Sequence, residues 1–338
     1  MFSGWKEMRE EILSRLKASF PAGSVKPGRF CGYVYDRSEY IGKSTKHRHL
    51  ILSDIHENAD ALMRLVLKAL RIPGGIDDIW LLGDLFGHSE NAIGVPRLQK
   101  RFLSVLKDLE QFPIYSVFGN WEFWLFHPEN DQKNSAQSNA QETLASRRRM
   151  LQRSKPVLLR GMMKNSILML PEQQAEFTLF HGCSYSCHNT TEYQADPWES
   201  YLNPHDLNIV TRGLFGNPEH LQTDHFLFGH THKPGFFAFS KSSFVNMWRV
   251  FTPEMAGKPL SYKNGGYRYG INPGSAGIEN GNIPRTGVVL DTAEKTFQFI
   301  IDSENEYRIS RRQFLHAVSL SKKKSSSGEK NCRIIRSI

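Results

Sequence analysis

The chain holds only four cysteines in 338 residues, Cys31, Cys183, Cys187 and Cys332, and no two of them form a Cys-x-x-Cys pair. This scarcity excludes a disulfide framework and a zinc-finger module, and it makes a reducing cytoplasm the expected compartment. Also missing is any apolar run of about 18 residues, the length a membrane-spanning helix needs. Lys6, Glu7, Arg9, Glu10 and Glu11 stand where a secretory signal would need an apolar core. Neither a transmembrane segment nor a leader is expected. No serine sits in a Gly-x-Ser-x-Gly elbow and no Gly-rich loop ends in Lys-Ser or Lys-Thr, so serine-nucleophile and P-loop chemistry lack a carrier.

What is present is an ordinary globular composition, 39% hydrophobic with 26 glycines. The net charge of +9 favours anionic partners and equally serves solubility. Met8, Ile12 and Leu16 at helical spacing predict an amphipathic helix over 5–19, ended by Pro21 and Gly23. From His49 onward, short apolar runs (50–53, 79–83, 114–119) alternate with helical patterns (61–70, 97–110), which reads as a sheet covered on both faces. Residues 129–143 are polar and read as loop, within an insertion bounded at 128–165. Strand signals return at 166–170 and 177–181, joined as a hairpin, then at 225–229, 243–248, 286–291 and 296–301, with more antiparallel pairing expected in this half. Beyond about residue 318 the chain is basic and Ser-rich, a flexible tail able to bind nucleic acid or an anionic surface weakly. The organisation expected is a helical extension at 1–30, a main domain at 31–302 and a basic extension at 303–338. Nothing in the sequence fixes the oligomeric state.

The chemistry lies just past the strand ends. LILSDIHEN places Asp54 and His56 after one strand, LLGD places Asp84 after the next, and SVFGNWE places Asn120 after a third. FTLFHG adds His181, and FLFGHTH adds His230 and His232. In open α/β sheets ligands bind outside the carboxyl ends of strands, so one edge can gather all of these groups. Two carboxylates, four imidazoles and an amide form a mixed oxygen and nitrogen set suited to Mn, Fe, Zn, Co or Ni, and poorly suited to calcium. If one carboxylate bridges, two divalent ions are accounted for. Such a pair binds a phosphoryl oxygen and activates a water for in-line attack. Singly, each residue has a plain structural reading: a satisfied core histidine for His181, a turn residue for Asn120. The Asp54/His56 and His230/His232 pairs carry more weight, because alternation along extended chain would point both members to one side.

These motifs resemble those of the calcineurin-like metallophosphoesterase superfamily, whose series D-x-H, G-D, G-N-H-[DE], G-H and G-H-x-H is met over residues 49–302 by SDIHEN, GD, GNWE, FHG and GHTH. The segment beginning INPGSAG at 271 resembles its small phosphodiesterase-like branch. The resemblance implies an α/β fold, a two-sheet β-sandwich flanked by helices. It implies a first metal held by Asp54, His56 and His232, a second held by Asn120, His181 and His230, and Asp84 bridging. Mn is the favoured metal. Catalytic roles would fall to Asp84, Asn120, Trp121 and His181, in a hydrolase that cleaves a phosphodiester or nucleotide-like phosphate ester by a metal-activated hydroxide. A phosphomonoesterase or protein phosphatase, and a catalytically silent scaffold, are the alternatives. One position departs from the pattern: the motif histidine, a proton donor or phosphate ligand in the family, is Trp121, and indole has no proton to give near neutral pH. Two lesser readings concern Cys183, Cys187 and His188, as a loop beside the site or a metal or redox cluster, and Arg147, Arg148 and Arg149, as a phosphate clamp or a solvated helix face.

Overall fold

Strands that are apolar at every position need cover on both faces, and the central strands here have it. In the computed structural model of the protein, the described residues are 47–87, 96–110, 112–126, 176–183, 223–240, 246–262 and 265–302, with short pieces at 28–30, 33–35, 147–149, 167–170, 185–188, 191–194 and 201–202 and a few single positions. Two six-stranded sheets carry the fold. The first runs, edge to edge, β13 (Leu260–Ser261), β16 (Thr296–Ile301), β15 (Thr286–Asp291), β3 (Arg48–Leu52), β4 (Asp78–Leu81) and β5 (Ile114–Ser116). The second runs β12 (Asn246–Val250), β11 (Gly235–Ser240), β14 (Tyr267–Asn272), β10 (His225–Leu227), β7 (Phe177–Phe180) and β6 (Ile167–Leu170). Two short hairpins complete the strands: β1 (Gly28–Phe30) with β2 (Tyr33–Tyr35), and β8 (Tyr185–His188) with β9 (Thr191–Gln194).

Both sheets are mixed. In the first, β3, β4 and β5 are parallel, with Ile51 opposite Trp80 and Leu81 opposite Ser116, while β15 lies antiparallel to β3. In the second, β6 and β7 form the expected antiparallel pair, whereas β10 is parallel to both β7 and β14. That parallel placement brings the carboxyl ends of β7 and β10 to the same edge, where both carry histidines.

Side-chain alternation builds the layers. Ile51, Trp80, Val288, Leu290, Phe297 and Phe299 of the first sheet meet Phe177, Leu179, Leu227, Phe236, Ala238 and Ile271 of the second, forming the interior of the sandwich. The alternate residues Phe180, Phe226, Phe228, Phe237 and Phe239 form a second cluster with Leu202, Leu214, Leu221 and Cys183. Burial of each such ring is worth about 2 kcal/mol. Helix α1 (Ala59–Arg71) packs on β15 and β16 of the first sheet and beside α2 (Pro96–Leu109). Asn58 caps α1 by accepting from Ala61 N at 3.1 Å. A third helix, α3 (Asn120–Phe126), opens on a site residue.

Strands β11 and β14 are absent from the sequence reading. GFFAFS is apolar on both faces and so has no period, and YRYGIN is interrupted by Arg268 and Gly270. A methyl group at Gly270 would strike the Phe226 ring, so glycine there is a packing requirement. Cys187 and His188 fall on β8, a hairpin strand in place of the expected loop, and Cys183 is fully buried. The expected helix at 5–19, the polar residues 129–143 and the tail beyond 303 lie outside the described residues. The chain divides into two units, Met1–Ile301 and Asp302–Ile338. Among the described residues, no helix is long and apolar enough to cross a membrane.

Candidate metal centre

Every sequence-predicted ligand follows the carboxyl end of a strand, but the chain does not deliver them by extended alternation. Asp54, His56, Asp84, His230 and His232 all have left-handed backbone, with φ of 52°, 47°, 52°, 65° and 54°. Such φ values are uncommon outside glycine and carry a local cost. The expectation that Asp54 and His56, or His230 and His232, share a side because the chain is extended is therefore incorrect; tight left-handed turns aim them. Ile55 N and His56 N both donate to Asp84 O, at 2.8 and 3.1 Å, locking the first two turns together. The motif glycines permit close approach: a Cβ on Gly119 would strike Asp84 Oδ1, and one on Gly229 would strike Ser53 Oγ.

The side chains converge in two groups. Asp54, His56 and His232 offer ligand atoms within 4.8 Å of one another, and so do Asp84, His181 and His230. Asn120 joins the second, its Oδ1 3.2 Å from His181 Nε2. His181 Nδ1 donates to Leu82 O at 2.7 Å and His56 Nδ1 to Phe86 O at 3.0 Å, which leaves both Nε2 atoms facing the centre. His56 Nε2 and His232 Nε2 stand 3.1 Å apart. Asp54 Oδ2 accepts from His230 N at 3.0 Å, while Oδ1 is buried with no aligned donor. Facing imidazole nitrogens beside a buried carboxylate oxygen, Asp54 Oδ1, that has an ion-pair contact with His232 Nε2 at 3.1 Å but no aligned donor, are what a cation would satisfy, so the residues present fit two divalent ions.

The electrostatics reflect the same convergence of carboxylates and imidazoles. Burial pushes the Asp54 and Asp84 carboxyls up, but the surrounding histidines, His232 foremost for Asp54 and His181 for Asp84, hold both below the usual carboxylate range. Burial alone would lower His181, yet Asp84 and Asp54 push it up to about 9. His56 is held down by its burial.

With that geometry in place, the calcineurin-like phosphoesterase family model matches residues 47–234. The chain belongs to this family. Among solved structures, this calcineurin-like phosphoesterase is similar to a metallophosphoesterase from Sphaerobacter thermophilus, 23% identical, with a TM-score of 0.50 and coverage of 76% of this chain and 88% of that one. It is also similar to Yfce, a phosphoesterase from E. coli, at 18% identity, TM-score 0.33 and coverage of 76% and 100%. A protein serine/threonine phosphatase from Saccharomyces cerevisiae aligns at 10% identity, TM-score 0.41 and coverage of 78% and 82%. No curated protein matches the chain.

Several residues quoted from the motifs take supporting roles that the sequence does not announce. Glu122, fully buried, accepts from Asp84 N, Gly119 N and Phe86 N at 2.8, 2.9 and 3.1 Å, and so fastens the Asp84 turn to the Gly119 turn. Burial, reinforced by Asp84, pushes its carboxyl up to about 7. Asn272 donates to Gly229 O and Thr231 Oγ1, and Ser275 Oγ donates to Asp54 O, so the Asn-Pro-Gly-Ser segment props both histidine and aspartate turns. Arg147 is neither a phosphate clamp nor part of a solvated face. It is buried and pairs with Glu57 through two 2.6 Å contacts, donates to Gly87 O, and lies 5.7 Å from the Trp121 ring centroid. Arg148 donates to Trp124 O and Leu125 O, whereas Arg149 is exposed. Trp121 is buried, and its backbone N–H donates to Asp84 Oδ1 at 3.0 Å. Charge partners such as Glu57 and Arg147 lie far apart in sequence, and no local motif announces them.

Proposed function

We propose that the protein hydrolyses a phosphodiester or nucleotide-like phosphate ester using two divalent ions, manganese favoured, within the small phosphodiesterase-like branch of the family. The observation that carries this reading is the pair of ligand triads, each within 4.8 Å, set against a buried carboxylate oxygen that has no aligned donor. Asp54, His56 and His232 would hold one ion, Asn120, His181 and His230 the other, and Asp84 both. When bound, the ions supply Lewis acidity toward the phosphoryl oxygen and lower the pKa of an attacking water. The chain's own work is orientation: Leu82 O and Phe86 O fix the imidazole tautomers, and Glu122 and the Trp121 N–H hold Asp84. Trp121 offers no transferable proton, so leaving groups that depart without an acid suit this site best. That favours activated esters and diesters over alkyl monoesters.

Around this core we assign residues 31–302 to the catalytic domain, 1–30 to a helical extension and 303–338 to a basic tail that binds nucleic acid or anionic surfaces weakly, in a cytoplasmic protein. The division after Ile301 supports the last boundary. The deciding experiment is elemental analysis of purified protein followed by a screen of aryl phosphodiesters, phosphomonoesters and dinucleoside polyphosphates with Mn²⁺. Diester hydrolysis that vanishes on chelation and returns with Mn²⁺ is expected. Full activity in metal-stripped protein, or metal uptake with no turnover of any ester, would overturn the reading.

A further inference from the structure

Tyr201 is the most exposed large apolar side chain among the described residues, at 59%, and it stands on the candidate metal centre. Its ring lies 3.8 Å from that of His230, centroid to centroid, with the planes 22° apart. One face of the phenol therefore covers a ligand of the second triad while much of the residue stays open. Its neighbour Leu202 is buried in the cluster of Phe180, Phe226 and Phe228 beneath, which holds the tyrosine in place. Trp121, by contrast, is buried above Arg147 and has no free face.

Single exposed apolar residues are common on protein surfaces. This one sits beside the position at which a phosphoryl group would be held, its plane nearly parallel to a ligand ring. A planar group joined to that phosphorus would meet the tyrosine face to face, the arrangement by which proteins hold bases without reading their edges. We infer that Tyr201 is a stacking platform that selects phosphate esters bearing a planar aromatic group, a nucleobase or an aryl ring. This specificity role rests on the phosphoesterase reading above and adds the chemical class of the substrate.

The test is calorimetric binding of phenylphosphonate, methylphosphonate, adenosine monophosphate and inorganic phosphate to Mn²⁺-loaded wild type, Tyr201→Phe and Tyr201→Leu, with Mn²⁺ affinity measured on each protein. Wild type and Tyr201→Phe are expected to bind phenylphosphonate at least tenfold more tightly than methylphosphonate, and Tyr201→Leu to reduce that ratio to threefold or less with Mn²⁺ affinity unchanged. The same comparison of adenosine monophosphate with inorganic phosphate separates a base-binding platform from one that takes only small aryl groups. An unchanged ratio in Tyr201→Leu would overturn the inference, as would a loss of Mn²⁺ affinity, which would make Tyr201 a clamp on His230. If the aromatic preference depends on Tyr201 but wild type cleaves no ester, the proposed activity fails and the binding site stands. If esters are cleaved and Tyr201→Leu keeps the preference, this inference fails alone.

Discussion

The two ends of the central strands hold the same kinds of residue and do opposite things with them. At the starts of β3 and β4, His49 Nδ1 is 2.6 Å from Asp78 Oδ1, its Nε2 is 3.3 Å from Thr292 Oγ1, and its ring stacks on Trp80 at 4.3 Å. Asp77 Oδ2 accepts from His47 N and Arg48 N, and Arg48 Nε donates to Asp291. No residue from His47 to His49, nor Asp77 or Asp78, has left-handed backbone. At the carboxyl ends of the same strands, Asp54 and Asp84 are just as buried, yet their turns are left-handed, imidazole nitrogens face each other, and Asp54 Oδ1 has no aligned donor. A His–Asp–Thr arrangement at one end is closed; at the other end, facing imidazoles and left-handed turns form a cluster that a metal ion could complete. Residue type alone does not separate them. Direction along the strand does.

The comparison breaks if substitutions at the two ends act alike. At the carboxyl end, Asp84→Ala is expected to lower kcat/KM at least a thousandfold, about 4 kcal/mol of transition-state stabilisation, because two ions would lose a shared ligand. Folding should survive at a cost of about 2 kcal/mol, because the buried Trp121 N–H loses its acceptor. Steady-state kinetics, metal content and thermal melting under matched Mn²⁺ check this together. Retention of more than about a tenth of the activity would end the bridging assignment.

At the opposite end the expected effect is on stability. Asp78→Ala leaves the buried His49 Nδ1 without its acceptor, a loss of about 2 kcal/mol. Urea unfolding should register it while kcat/KM stays within twofold. A large loss of activity at unchanged stability would mean that the closed network takes part in the chemistry after all.

This asymmetry explains what was legible beforehand. Apolar runs ending in Asp, Asn or His located β3, β4, β5, β7 and β10 and all seven candidate ligands, because the strand-to-ligand spacing is local. The left-handed turns were not legible, since nothing in SDIH or GHTH distinguishes an extended pair from a folded one; the Cβ clearances at Gly119 and Gly229 are visible only in three dimensions. Glu122 was legible as a motif letter but not as the group that accepts three backbone N–H bonds. Arg147, in a run of three arginines, reads as a phosphate clamp or a solvated face, because its partner Glu57 lies 90 residues away on another turn.

Trp121 sharpens the comparison within the candidate metal end. Its buried ring and its N–H bond to Asp84 support that end structurally, where the family pattern has an imidazole. Restoring the imidazole with Trp121→His is expected to raise kcat/KM about tenfold for esters with poor leaving groups and to leave activated aryl esters nearly unchanged, since general acid assistance matters most where departure is hard. A plot of log kcat/KM against leaving-group pKa for both proteins measures this. Equal change across the series would reduce Trp121 to packing.

The smallest effect belongs to the pair Arg48 and Asp291, at the structural end and partly open to solvent. Burial raises the Asp291 carboxyl, but the N–H groups of Glu294 and Ala293 and the Arg48 guanidinium outweigh it and hold it below its ordinary value. A carboxyl depressed in the folded state adds stability above its unfolded pKa of about 3.9, and that stability is lost as pH falls through the folded value. Asp291→Asn should therefore cost less than about 1 kcal/mol at pH 7, since solvent screens the pair. The gap between wild type and variant should narrow at pH 3. Urea unfolding at the two pH values measures it, and kcat/KM at pH 7 should not move. A gap that is as wide at pH 3 as at pH 7 would show that Asp291 contributes through hydrogen-bond geometry in its turn, which the amide keeps or breaks independently of charge.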